Sequence, residues 1–124
     1  MYDITTESHF SAAHCLRNYN GPCENLHGHN WLVRATVKCD ALDKSGLGLD
    51  FKVLKRRLND ILDGYDHKNL NDAFDAMGES PSSECIARHI YRRLSESLAD
   101  TKGVRVARVE VQETPGNSAA YYEH

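Results

Sequence analysis

Between His29 and Cys39 the chain alternates with a period of two. His29, Trp31, Val33, Ala35, Val37 and Cys39 project to one side, and Asn30, Arg34, Thr36 and Lys38 to the other. Successive side chains on a strand leave from opposite faces, so this run commits its segment to a β-strand with one buried face. The buried face must then be covered, and two later segments have the period to cover it. Phe51, Leu54, Leu58, Ile61 and Leu62 recur at helical spacing, with Asp50 placed to cap the N-terminus. Ile86, Ile90, Tyr91, Leu94 and Leu98 form a second apolar stripe behind Pro81-Ser82-Ser83-Glu84, a start signal with a hydroxyl cap and an early acid.

Strands flank these helices. Residues 2–10 are rich in Thr, Tyr, Ile and Phe; Val104 to Thr114 alternates, with Ala107, Val109, Val111 and Glu113 sharing a face. Pro115-Gly116-Asn117 reads as a hairpin turn returning the chain through Ser118 to Tyr122, and Gly64 to Asn69 reads as a loop between the helices. The order ββααββ predicts an α+β domain, residues 1–124, with both helices on one face of a four-stranded antiparallel sheet. So small a sheet has two edges to protect, and self-association through them is a simple solution.

A formal charge of −3 argues against an extended nucleic-acid footprint. No segment approaches the ~20 apolar residues needed to span a bilayer. The first residues lack the basic and apolar regions of an export signal, which points to the cytoplasm. The four cysteines, Cys15, Cys23, Cys39 and Cys85, contain no Cys-x-x-Cys pair and are expected as free thiols, Cys39 and Cys85 as small buried hydrophobes.

Chemistry concentrates in Cys23-Glu24-Asn25-Leu26-His27-Gly28-His29. His27 and His29 are two apart, so in extended backbone both imidazoles leave one face and can reach one metal ion. His14, closing Phe10-Ser11-Ala12-Ala13-His14, is the best third ligand, because pairing of the first strand with the second brings it alongside. Three neutral imidazoles suit Zn²⁺ with one position open. Residues 30–36 contain no glutamate, which sets aside the cupin pattern that also begins with His-x-His. Cys23 fits two roles: a fourth ligand closing a structural site, or a thiolate outside the metal shell acting on a bound substrate. Asp66-His67 offers a proton acceptor with an orienting carboxylate, or is an exposed loop dipeptide. Glu113 ends a strand face that is otherwise apolar, either solvated at the rim or buried to hold a ligand's donors. Glu84 is accounted for as a first-turn helix acid, and His9, His89 and His124 read as non-functional.

Phe10-Ser11-Ala12-Ala13-His14, Cys23-x-x-x-His27-Gly28-His29, Asp66-His67-x-x-Leu70-Asn71, Pro81-Ser82-Ser83-Glu84 and Val111-Gln112-Glu113-Thr114 occur in order. Together they resemble the 6-pyruvoyltetrahydropterin synthase superfamily, over about Tyr2 to Tyr122. The short gap between Cys23 and His27 is similar to that of the bacterial 6-carboxytetrahydropterin synthases. The resemblance implies the tunnelling fold, with strands joined around a trimer into a twelve-stranded barrel, trimers stacked as a hexamer, and active sites between subunits. It further implies zinc on His14, His27 and His29, proton handling by Cys23, Asp66 and His67, and a pterin ring held by Glu113 with help from Ser82, Ser83 and Glu84. The implied substrate is 7,8-dihydroneopterin triphosphate, and the implied products are 6-carboxy-5,6,7,8-tetrahydropterin, acetaldehyde and triphosphate, on the route to queuosine. The Ser82-Ser83-Glu84 segment has Ser where many relatives have Thr. Glu24 beside Cys23 also resembles members that form 6-hydroxymethyl-7,8-dihydropterin for folate synthesis. A zinc-stabilised binding module without catalysis is the reading of another class.

Overall fold

The computed structural model describes residues 1–17 and 25–123. Strands β1 (Tyr2–His14) and β2 (His27–Cys39) pair antiparallel over their full lengths, from Tyr2 opposite Cys39 to His14 opposite His27. Both outrun the predicted spans of 2–10 and 29–39. The ladder continues past Phe10 and Trp31 through Ser11–Asn30, Ala12–His29 and Ala13–Gly28, small or polar pairs that carry no apolar signal. The predicted inward face of β2 is the core: Trp31, Val33, Ala35, Val37 and Cys39 are all buried.

Helix α1 (Phe51–Leu62) starts at Asp50, whose side chain accepts from the Lys52 amide at 2.8 Å. It buries Leu54, Leu58, Ile61 and Leu62. Phe51, assigned to the same stripe from sequence, is 59% exposed. It sits in the first turn, beside Thr5 and Thr6 at the outer side of β1, and never reaches the core.

The segment expected as a loop does more. After Asp66 and His67, strand β3 (Lys68–Asn69) pairs parallel with Ala12 and Ala13 of β1. Helix α2 (Leu70–Ala76) follows, capped by Asn69 and buried through Leu70, Asn71 and Phe74. Among the described residues the sheet therefore has five strands, in the order β3-β1-β2-β4-β5, with one parallel pair, and three helices accompany it instead of two. A two-residue strand and a seven-residue helix are shorter than the windows in which a hydrophobic period is measurable.

Helix α3 (Ser83–Ser97) begins where predicted, with Ser82 Oγ accepting from the Cys85 amide at 3.1 Å. It packs on strands β4 (Val104–Thr114) and β5 (Asn117–Tyr121), while α1 packs on β1, so these helices cover the sheet's apolar face. Ala107 does not share that face as expected. The β2–β4 register shifts as Val37 pairs with Val106 and Thr36 with Arg108, leaving Ala107 as an extra residue. The bulge moves burial from Val106 to Val109 and Val111. The last strand begins one residue earlier than predicted and ends at Tyr121, leaving Tyr122 exposed. Cys39 is buried as expected, Cys85 is only partly so, and both are free thiols, like Cys15. No helix among the described residues is long and apolar enough to cross a membrane.

Candidate metal centre

The core-facing side of the β1–β2 pair changes character along its length. Phe10 lies opposite Trp31, Ala12 opposite His29 and His14 opposite His27. Residues directly opposed on antiparallel strands share a face, so the apolar wall of Phe10 and Trp31 runs into three imidazoles. His14, His27 and His29 meet there, and their ligand atoms together with a Glu113 oxygen all lie within 4.8 Å of one another. Trp31 forms the floor: its ring stands edge-on to His14 and His29, and its indole N–H donates to the Ala12 carbonyl at 3.2 Å.

Backbone carbonyls fix the tautomers of two rings. His14 Nδ1–H donates to Pro81 O at 2.7 Å, and His27 Nδ1–H donates to Asn25 O at 2.6 Å. Each neutral ring therefore presents an Nε2 lone pair inward, in the way that second partners orient metal-ligating histidines. The two Nε2 atoms are 3.0 Å apart. His29 Nε2 is buried and has no hydrogen-bond partner. Glu113 Oε1 lies 3.1 Å from His14 Nε2 and 3.5 Å from His29 Nε2. Lone pairs crowded together and one orphaned nitrogen are unfavourable unless a cation lies among them. Ligands about 2.05 Å from a tetrahedral ion stand roughly 3.3 Å apart, close to the 3.0, 3.1 and 3.5 Å separations above, within a cluster that spans up to 4.8 Å. The donor set fits a divalent metal ion. Burial pushes the pKa of His14 below the ordinary imidazole value, outweighing the opposing Pro81 carbonyl and Glu113; burial also lowers that of His29, against the pull of Glu113. Both effects favour the neutral rings that ligation needs.

Two contributions to this geometry have no counterpart in the sequence reading. Asn71 is buried and clamps the chain just past His14: its Oδ1 accepts from Cys15 N and its Nδ2 donates to Cys15 O, each at 2.8 Å. Pro81 supplies the His14 acceptor. Only the Leu70-Asn71 ending of a motif hinted at the first, and nothing in the residue types announced the second.

Among the described residues, the other candidates are not members of the ligand cluster. His67 is the described non-glycine residue with positive φ, at 58°, and its side chain is 81% exposed. Its ring lies 3.0 Å from Asp66 Oδ2, while Asp66 Oδ1 accepts from the Ser11 amide at 2.9 Å. That amide, and then His67, hold the Asp66 carboxyl below the usual carboxylate range. His67 lines an open cleft of about 440 Å³ with Ser11, Ala12, Ala13, Gly28, Asn30, Lys68 and one of the three imidazoles, His29. Ser82 is spent on capping α3, Ser83 opens that helix, and Glu84 is exposed. Cys23 and Glu24 lie outside the described residues.

A family model described as 6-pyruvoyl tetrahydropterin synthase matches residues 3–124. The chain belongs to this family. It is 39% identical to a 6-carboxy-5,6,7,8-tetrahydropterin synthase of Synechocystis, covering 98% of this chain and 94% of that one. It is 33% identical to the protein of the same name from Bacillus subtilis, covering 97% and 84%. Among solved structures, the 6-pyruvoyl tetrahydropterin synthase of Caenorhabditis elegans superposes with a TM-score of 0.82 at 27% identity, covering 100% of this chain and 98% of that one. As a member of the pterin synthase family, the protein has the α+β tunnelling fold, and its five-stranded sheet carries a His/Glu cluster able to hold a metal.

Proposed function

We propose that this family member is a zinc-dependent 6-carboxy-5,6,7,8-tetrahydropterin synthase acting on 7,8-dihydroneopterin triphosphate, in a single domain spanning residues 1–124. The observation that carries the reading is the convergence of three imidazoles, two of them with tautomers fixed by backbone carbonyls, whose ligand atoms lie within 4.8 Å of one another. The two carboxypterin synthases at 39% and 33% identity support the choice of product.

In this reading His14, His27 and His29 hold Zn²⁺, which supplies Lewis-acid polarisation of the substrate's side-chain oxygens. Glu113 accepts hydrogen bonds from the guanidine-like edge of the pterin ring. Cys23, as thiolate, takes a proton from the substrate side chain. His67 takes or returns a second proton while Asp66 orients its ring and stabilises its charged form. Proton movement of this kind accompanies loss of triphosphate, uptake of one water and release of acetaldehyde, leaving the 6-carboxy group, without a redox cofactor. Ser82 and Ser83 act by starting α3 behind Pro81, and Glu84 by its place in that first turn. The product enters 7-deazapurine synthesis in the cytoplasm.

The exposure of His67 supports a site completed by a second subunit. So do the sheet edges. β1 pairs with β3 only at Ala12 and Ala13, and β5 pairs with β4 alone among the described strands. Edge-to-edge joining of β1 to a neighbouring β5 would cover both and close a barrel of three subunits, stacked in pairs as a hexamer.

Incubating the zinc-loaded protein with 7,8-dihydroneopterin triphosphate tests the reaction, with products identified by mass. Acetaldehyde and 6-carboxytetrahydropterin in equal amounts are expected. Formation of 6-hydroxymethyl-7,8-dihydropterin alone would assign the protein to the folate route through Glu24. No product, together with a Zn–S bond at ~2.3 Å by X-ray absorption, would make it a binding module. Cys23→Ala is expected to keep its zinc and melting temperature while acetaldehyde release falls by about 10²–10⁴-fold. Near-normal turnover in that variant removes Cys23 from the mechanism.

A further inference from the structure

We propose that Glu113 is a fourth metal ligand in the resting protein and leaves the metal when a pterin binds. The inference rests on the metal site proposed above and adds a second task for the carboxylate. Among the described residues its charged partners are two imidazoles, with Oε1 3.1 Å from His14 Nε2 and 3.5 Å from His29 Nε2. Neither contact is a good hydrogen bond for a neutral ring. His14 already donates through Nδ1 to Pro81 O, and His29 Nε2 meets no hydrogen-bond criterion at all. A single proton could bridge one pair of these atoms and would leave the others opposed. One divalent cation satisfies three nitrogen lone pairs and the carboxylate oxygen at once.

Strand alternation delivers this oxygen. Val109 and Val111 are buried on the core face of β4, and Glu113, two residues on, leaves the same face and enters the imidazole cluster, keeping only 27% of its side chain exposed. Beside it the β4–β5 ladder steps from Gln112–Ser118 to Thr114–Asn117, so Glu113 has no partner on β5. A carboxylate meant only for a pterin ring would have no reason to approach ligand nitrogens so closely.

The two tasks exclude one another. The guanidine-like edge of a pterin presents parallel N–H donors, which a carboxylate meets with both oxygens. Oε1 must therefore leave the metal as the ring seats, and the vacated position becomes available to the substrate's side-chain oxygens. Ring recognition and opening of the coordination shell are then one movement. Reciprocity follows: a pterin lacking side-chain oxygens should weaken metal binding, because it withdraws a ligand and supplies none.

Zinc affinity, measured by chelator competition with and without saturating 6-methylpterin, tests this in wild type, Glu113→Gln and His27→Ala. The wild type should bind zinc more weakly when 6-methylpterin is present. Glu113→Gln should lose about 10–100-fold in zinc affinity, at least what an outer-shell change costs, and show no response to the pterin. A crystal structure of the zinc-loaded wild type without pterin should place Oε1 at about 2.0–2.2 Å from zinc, a measurement that needs no variant. Equal zinc affinity in wild type and Glu113→Gln, with the carboxylate turned away from zinc, would overturn the proposal. If Glu113→Gln then still loses 6-methylpterin binding, the proposed function stands. Should His27→Ala hold zinc as tightly as wild type, the metal site itself fails, and both readings fail with it.

Discussion

Replacing His14 by alanine is expected to remove metal binding and turnover together and to lower the melting temperature, whereas His27→Ala should lose the first two and spare the third. The difference lies in what each ring does for the fold. His14 is fully buried and satisfies the carbonyl of buried Pro81, just before α3. Its loss orphans that carbonyl, at about 1–3 kcal/mol, and leaves a cavity beside Trp31, for a combined cost of roughly 2–4 kcal/mol. His27 is half-buried, and its partner Asn25 O lies near solvent, where water can replace the ring. Metal content after gel filtration, turnover, and thermal melts in chelator separate these effects. Melting in chelator matters because bound metal would itself stabilise the native state. A His14→Ala protein that keeps one equivalent of metal would show that this ring is structural only.

Trp31→Ala should be the most destabilising single change near the site, by about 3–5 kcal/mol. Trp31 is fully buried and stacks on Phe10, with centroids 5.8 Å apart and planes inclined by 6°. It also supports two ligands from below, with centroid distances of 4.8 Å to His14 and 5.3 Å to His29. The melting temperature should fall on the order of 10–20 °C. Metal affinity should fall as well, since the rings lose the surface that limits their rotation. Trp31→Phe keeps much of that surface but not the indole hydrogen bond to Ala12 O, so it should recover most of the metal affinity and only part of the stability. A Trp31→Ala protein with unchanged melting would mean that the hairpin end is held from elsewhere.

The sheet and its two longer helices were readable because their signals are periodic and locally marked. The alternation along β2, the stripe of Leu54, Leu58, Ile61 and Leu62, and the caps at Asp50 and Ser82 each arise from the residues that also make the structure. β3 and α2 were not readable, since Lys68-Asn69 gains its strand character only from the neighbouring edge of β1. The convergence of the histidines was legible as spacing, two apart on one strand and a third on its neighbour. Their orientation was not, because it depends on the carbonyls of Pro81 and Asn25, and a backbone carbonyl has no residue-type signature. The face of Glu113 was legible, since alternation with Val109 and Val111 turns it toward the core, but its approach to His14 and His29 at 3.1 and 3.5 Å was not, because residue type fits a solvated rim as well as a buried site.

Glu113 stands two residues before the turn at Pro115-Gly116, and its face is set by the pairing of Val111 and Gln112 with β2. Because strand faces alternate residue by residue, deleting one position between Val111 and Glu113 would send the carboxylate to the opposite side of the sheet, whereas shortening the turn beyond Thr114 would leave its direction unchanged. The hairpin tip can therefore vary in length without disturbing the ligand set, while the residues just before it cannot.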